Sequence, residues 1–301
     1  MRQEGPIINV GLNTAVIIGA TAWIVGWTAA AAHIAACAQT AHSAPTQQKI
    51  APSGWVEDTP TAPSPQAMPS SSGKIPLQGG VQHSDELRPL PHNLQSGAIF
   101  DERTIPKTAD DQGWYQIPDW LAGKWLRDEE TILSTYFFDS KVQQNEPRTI
   151  AEREVADFGF QRDKTGKVWH YRLASKGVSD CGSYLAIAFV QSQEPLHVAD
   201  DVVVIRDVFV EVQVNKETNI ILHSSQAESI TKYRPVRDGL IKTSMSVKVF
   251  KEDGTPYTVQ RNAAFDKRME AFKTTDNFKE QNLRKSFSEF LHAVGKDELI
   301  P

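Results

Sequence analysis

Cysteine is scarce: the 301 residues hold two, Cys37 and Cys181. That number excludes a disulfide-stapled scaffold and a four-cysteine zinc site. Basic charge is not in excess either. Lys and Arg number 32 against 37 Asp and Glu, a net charge of −5, so the electrostatic footprint of a nucleic-acid binder is missing. No glycine-rich phosphate loop and no serine nucleophile elbow occurs. His170, His197 and His223 lack the close paired spacing that a zinc site uses. Strands do not alternate with helical stretches, which excludes a parallel α/β enzyme fold. What is present is ordinary: 40% hydrophobic and 23% charged residues fall in the globular range. The length suits about two domains of ~100–200 residues each.

The averages conceal three parts, 1–38, 39–110 and 111–301. Residues 14–38 contain no Lys, Arg, Asp or Glu. Twenty-five residues at ~1.5 Å rise can span a ~30 Å hydrocarbon core. Arg2 is the only Lys or Arg before Lys49, which favours an internal N-terminus and an exported remainder. Three readings of this segment stand side by side. It can be an uncleaved single-pass anchor. It can be a cleaved signal, because Ala36-Cys37-Ala38 fits the small-x-small pattern. It can be a lipoprotein signal, because Ile34-Ala35-Ala36-Cys37 resembles a bacterial lipobox with Cys37 as the lipidation candidate.

Residues 39–110 carry ten of the 17 prolines and show no apolar periodicity. Such a stretch buries too little surface to offset its ordering entropy. It reads as a disordered spacer that holds a domain away from a membrane.

From about residue 111 the pattern becomes β. Asp201–Val214 is the strongest strand signal, and Leu240–Phe250 alternates between an apolar and a polar face. About eight strands follow one another through short turns, with Asp163–Gly166 as a hairpin signal. Consecutive hairpins favour an antiparallel meander, and closing it into a barrel removes its edges. Leu283, Phe287, Phe290, Leu291 and Val294 recur at helical spacing, which predicts a C-terminal helix within about 264–295, with Asp276 and Gly295 as caps.

Gly123-Lys124-Trp125, at the start of the first long strand, resembles the Gly-x-Trp motif of lipocalins and the wider calycins. The resemblance covers about 112–295. It implies an eight-stranded barrel, a small apolar or amphipathic ligand, and a tryptophan plugging one end with an arginine across it. Arg261 stands where that arginine is expected.

Arg206 shares a strand face with Val202, Val204, Val208, Val210, Val212 and Val214. A buried arginine needs a partner, so it anchors a ligand carboxylate or phosphate, or it pairs internally with an acid such as Glu152 or Glu154. Trp169, Tyr171 and Tyr184 are candidates to line an apolar pocket, against ordinary packing. Cys181 is a lone cysteine beside a strand, inert or reactive. Asp128-Glu129-Glu130 offers paired carboxyls of the kind glycoside hydrolysis needs, but the run reads as a solvated turn or bend.

These features add up to a membrane-associated, exported binding protein of the cell envelope, periplasmic or extracellular. No catalytic residue, metal, cofactor or nucleic-acid partner is expected. The alternative is an assembly component acting through an envelope protein partner.

Overall fold

A computed structural model describes residues 82–105, 113–172, 176–278 and 281–301. Residues 14–38, including Cys37, lie outside the described residues. Among the described residues no helix is long and apolar enough to cross a membrane.

The chain builds a mainly β, antiparallel half-barrel. Its main sheet has nine strands. These are β2 (Gly123–Phe137), β3 (Val142–Gln144), β4 (Arg148–Phe158), β7 (Lys176–Asp180), β8 (Tyr184–Ala199), β9 (Val202–Asn215), β10 (Ile221–Arg237), β11 (Leu240–Phe250) and β12 (Pro256–Ala271). The strands from β7 to β12 pair consecutively, β12 pairs back onto β2, and β2 holds β3 and β4 along its other edge. Among the described residues no ladder joins β4 to β7. The sheet is therefore curled but not shown closed, where the sequence led us to expect a complete barrel.

A smaller sheet of β1 (Trp114–Ile117), β6 (Val168–Tyr171) and β5 (Gln161–Arg162) caps one end of the curl. On one side Tyr115, Ile117 and Val168 pack with Trp125, Phe158, Val203, Ile205, Tyr233 and Ile241. On the other side Trp114, Trp169 and Tyr171 pack with Leu283, Phe287 and Leu291 of helix α1 (Leu283–Ala293). A short hairpin, β13 (Asn277–Phe278) with β14 (Gln281–Asn282), leads into that helix.

The helix is shorter than the sequence led us to expect, because β12 runs on to Ala271. Its N-cap is Asn282, whose side chain accepts from the Lys285 N–H. Asp276 acts through its backbone carbonyl instead, accepting from Leu283 and Arg284. Gly295, at φ +69°, follows the C-cap Val294.

Residues 82–105, which fall inside the expected spacer, are laid across the outer face of the sheet. Leu90, Leu94 and Phe100 pack with Ile187, Phe189, Val210, Val212, Val214 and Ile221. Polar groups tie the strap down. Glu228 accepts from Ser84 N at 2.7 Å and lies 2.8 Å from His83 Nδ1. Lys248 donates to the Ser84 and Asp85 carbonyls at 2.7 and 3.1 Å. Gly254 sits so close beneath that a Cβ would lie 1.9 Å from the Leu87 carbonyl oxygen. Proline-rich composition therefore does not preclude order here: apolar contacts and polar ties together hold the strap on the sheet.

Candidate functional site

The sequence-predicted site residues are placed in three different regions. Arg206 lies on the outer face of β9. It pairs with Glu228, stands 4.0 Å from Glu194, and donates to Ser84 Oγ at 2.7 Å. Its partners are these, whereas Glu154 bonds Arg127 on the inner face. Trp169 and Tyr171 sit on β6 beneath α1. The Trp169 ring lies 5.5 Å from Phe287, and its Nε1 donates to Asp163 Oδ2 at 2.9 Å. Tyr184 begins β8 opposite Asn215. The fold does not bring these four residues together. Cys181 follows β7, with its Sγ 3.9 Å from the Ser179 carbonyl oxygen.

The Gly-x-Trp residues occupy the capped end of the curl. Gly123 has φ +132°, and a Cβ there would lie 2.6 Å from the Glu270 carbonyl oxygen. Only glycine meets that backbone at that approach. Trp125 is buried, and its Nε1 donates to the Leu121 carbonyl at 2.7 Å. The guanidinium over its ring belongs to Arg268. Arg261 lies seven residues earlier on β12, exposed and opposite Ser134.

Above Trp125 the inner face carries a buried ionic layer. Arg127 holds Asp266 through Nε at 2.8 Å and Nη2 at 3.2 Å, Glu154 at 3.0 Å and Glu130 at 3.3 Å. Thr243 donates to Asp266 at 2.6 Å, and Asn262 Nδ2 donates to Glu130. Burial pushes the Glu130 carboxyl up to about 7, against the pull of Arg127. Glu130 corrects the solvated-turn reading of 128–130: Asp128 and Glu129 are exposed, whereas Glu130 is 1% exposed. Register shifts near Arg127 and between Ala264 and Lys267 turn the strand face here. Such bulges change which residues point inward.

Higher on the inner face stand Asp207 and Glu211. Burial lifts Asp207 to about 7, with a Gln193 hydrogen bond opposing, and lifts Glu211 to about 8. His170, packed among Tyr115, Phe158 and Phe160, accepts from the Gly159 N–H and is driven down to about 3 by burial. It is a neutral core histidine, while His197 and His223 are exposed. Among the described residues no group of three or more His, Cys, Asp or Glu is placed to hold a metal ion.

A cleft of about 440 Å³ lies beside Gly123, lined by residues of β2, β4 and β12, by Gly159 and Phe160 after β4, and by the segment that follows β12. Phe158, Phe160, Phe272 and Phe278 supply its apolar lining, and Lys124, Asp157, Glu270 and Lys273 its charges. Lys124 Nζ lies 3.3 Å from Glu270 Oε1. Burial raises the Asp157 carboxyl, and Lys124 partly offsets that. Sequence reasoning missed this cleft, because the segment after β12 returns to the start of β2 only in the folded chain.

The fold and this geometry define an antiparallel β half-barrel with a capped end and an aromatic cleft. Comparison of the chain with family models, curated proteins and solved structures finds no match.

Proposed function

We propose that the protein is a non-catalytic, lipocalin-like binding module of the cell envelope, exported and held at the membrane by residues 14–38, and that its ligand is small and amphipathic. The observation that carries the binding reading is the cleft beside Gly123. Its volume falls within the ~300–1,000 Å³ of small-molecule sites, and aromatic walls with a few polar groups are the usual lining. The phenylalanines would take the apolar body, and Lys124 with Asp157 and Glu270 the polar head. The membrane reading rests on the charge-free run 14–38 and on the basic asymmetry around it.

Native mass spectrometry of the full chain purified from its own cells, with extraction of bound small molecules, tests this. A reproducible adduct that is lost in Phe272→Ala and Lys124→Ala supports it. A clean apo mass, with no uptake from a lipid and metabolite pool, overturns it. The second reading is then an assembly role through an envelope protein partner. One observation favours that reading: the base of the curl around Trp125 is filled with side chains.

A further inference from the structure

The cleft beside Gly123 carries its charges in a row. Lys124 on β2 stands opposite Asp157 on β4 and, across its other edge, opposite Glu270 on β12. Neighbouring strands lie about 4.8 Å apart, so the row reads acid, lysine, acid at that spacing. All three residues line the cleft. They are not equally engaged. Lys124 Nζ reaches Glu270 Oε1 at 3.3 Å. Among the described residues no hydrogen bond or ion pair reaches the Asp157 carboxyl, and Lys124 acts on it only through its field.

The pair that Lys124 makes is open to exchange. The Glu270 side chain is 52% exposed, and ion pairs so exposed contribute little to stability. An incoming anion can therefore take the lysine from Glu270 at small cost, while Asp157 is left for a cation. Lys273, exposed, completes the charged lining. Two cations and two anions then leave the cleft without net charge. A ligand bearing a single charge would satisfy one kind of lining group and leave the other unanswered.

Apolar surface with access to the cleft lies beside the row. Phe158 and Phe160 are buried, with their rings packed on Tyr233 and His170. Phe272 and Phe278 also line the cleft but are only half-buried. Arg162 lies over the Phe272 ring at 5.2 Å, and Phe160 stands against Phe278 at 5.5 Å. Those contacts hold both rings in place without burying them.

We propose that the cleft takes a zwitterionic amphiphile, with its ammonium on Asp157, its adjoining phosphate, sulfonate or carboxylate on Lys124 in place of Glu270, and its aliphatic tail over Phe272 and Phe278. The inference rests on the cleft reading above and deepens it by naming the head group. A head with opposite charges on a short linker matches a row in which opposite charges sit on adjacent strands.

Calorimetric titration of the full chain tests this with octylphosphocholine, octyltrimethylammonium, octyl sulfate and phosphocholine without a tail, each below its micelle concentration. Octylphosphocholine should bind saturably and about tenfold tighter than either singly charged octyl probe, the scale of one lost charge-assisted contact. Tail-free phosphocholine should bind weakest. Asp157→Asn should bring octylphosphocholine down to the level of octyl sulfate, and Lys124→Met down to that of octyltrimethylammonium. Glu270→Gln releases Lys124, so it should tighten octylphosphocholine and octyl sulfate alike, a gain that damage to the fold does not produce. Equal affinity for the three octyl probes, a singly charged probe binding tightest, or no gain in Glu270→Gln overturns the head-group proposal and leaves the amphipathic cleft standing. Phosphocholine binding as tightly as its octyl ester makes the occupant a free polar solute and overturns both, as does the absence of saturable binding by any octyl probe. The comparison of probes on the unaltered protein stands even if a variant fails to fold.

Discussion

The Arg268 guanidinium stands 4.8 Å from the centroid of the Trp125 ring, and the two residues oppose each other in the β2–β12 ladder. Arg268 also donates to the Trp120 carbonyl at 2.9 Å and to Asp238 at 2.8 Å. One side chain thus seals the capped end over the plug that closes it.

Trp125→Ala should cost about 3–5 kcal/mol, the usual range for a buried aromatic truncated to a cavity. Arg268→Ala should cost less, since a cation over a ring contributes ~0.5–2 kcal/mol. A double-mutant cycle by urea denaturation should show coupling, because the residues touch. Strict additivity would mean that the arginine acts through Trp120 and Asp238 alone.

The strap makes a separable prediction. Leu94 is completely buried between residues 82–105 and the sheet, so Leu94→Ala should cost about 2–5 kcal/mol. The strap meets the sheet through one isolated bridge, Ile99 to Ile220, and scattered backbone bonds such as Leu90 N–H to the Glu252 carbonyl, while β9 to β12 are held by continuous ladders. Protease cleavage within 82–105 should therefore rise well before hydrogen exchange quickens in β11. Equal quickening in both would show that the sheet depends on the strap.

What the sequence disclosed was local. Alternation along Leu240–Phe250 gave the strand limits and one face of Ile241, Thr243, Met245, Val247 and Val249, of which the first four are buried and Val249 half-buried. The helical stripe of Leu283, Phe287 and Leu291 was equally readable. Glu130 was hidden, because alternation from Trp125 points it outward and only register shifts in β2 turn it in. Arg268 was hidden behind Arg261 for a related reason: β12 runs ten residues past Arg261, so the partner of Trp125 lies farther along. The fixed spacing of a motif says nothing about strand length. The strap was masked by its prolines, whose meaning depends on whether an apolar sheet face is at hand.

Burial of acids gives stability a signed pH dependence. Glu211, Asp207 and Glu130 have folded pKa values raised to about 8, 7 and 7, while the unfolded chain releases these protons near pH 4. Above pH 4 the folded state binds more protons, so stability falls as pH rises until the folded values are passed. His170, lowered to about 3, opposes this below its unfolded value of ~6.5, where protonation of the unfolded chain is lost stability. The window from pH 6.5 to 8.5 isolates the acids. There the midpoint of thermal unfolding should drop, each still-protonated acid contributing up to about 1.4 kcal/mol per pH unit. Glu211→Gln should flatten the curve most, and a flat curve for the unaltered protein would refute the burial of these groups.

Arg127 bears on the same layer from the other side. It is 5% exposed and holds three carboxylates, Asp266, Glu154 and Glu130. Removing one partner of a buried ionic group leaves the others without compensation, at a cost of about 3–5 kcal/mol. Arg127→Met keeps much of the apolar volume and deletes the charge, so the loss can be assigned to electrostatics rather than to a cavity. The loss should be large at pH 8, where the acids are ionised in the parent protein, and smaller at pH 5.5, where Glu130 takes up a proton and repulsion eases. Adding Glu130→Gln to Arg127→Met should recover part of the stability at pH 8 and little at pH 5.5. Urea denaturation of both variants at both pH values measures this. A loss independent of pH, with no recovery from the second substitution, would mean that Arg127 acts by packing alone, through contacts such as the one with Met245 Sδ at 3.6 Å.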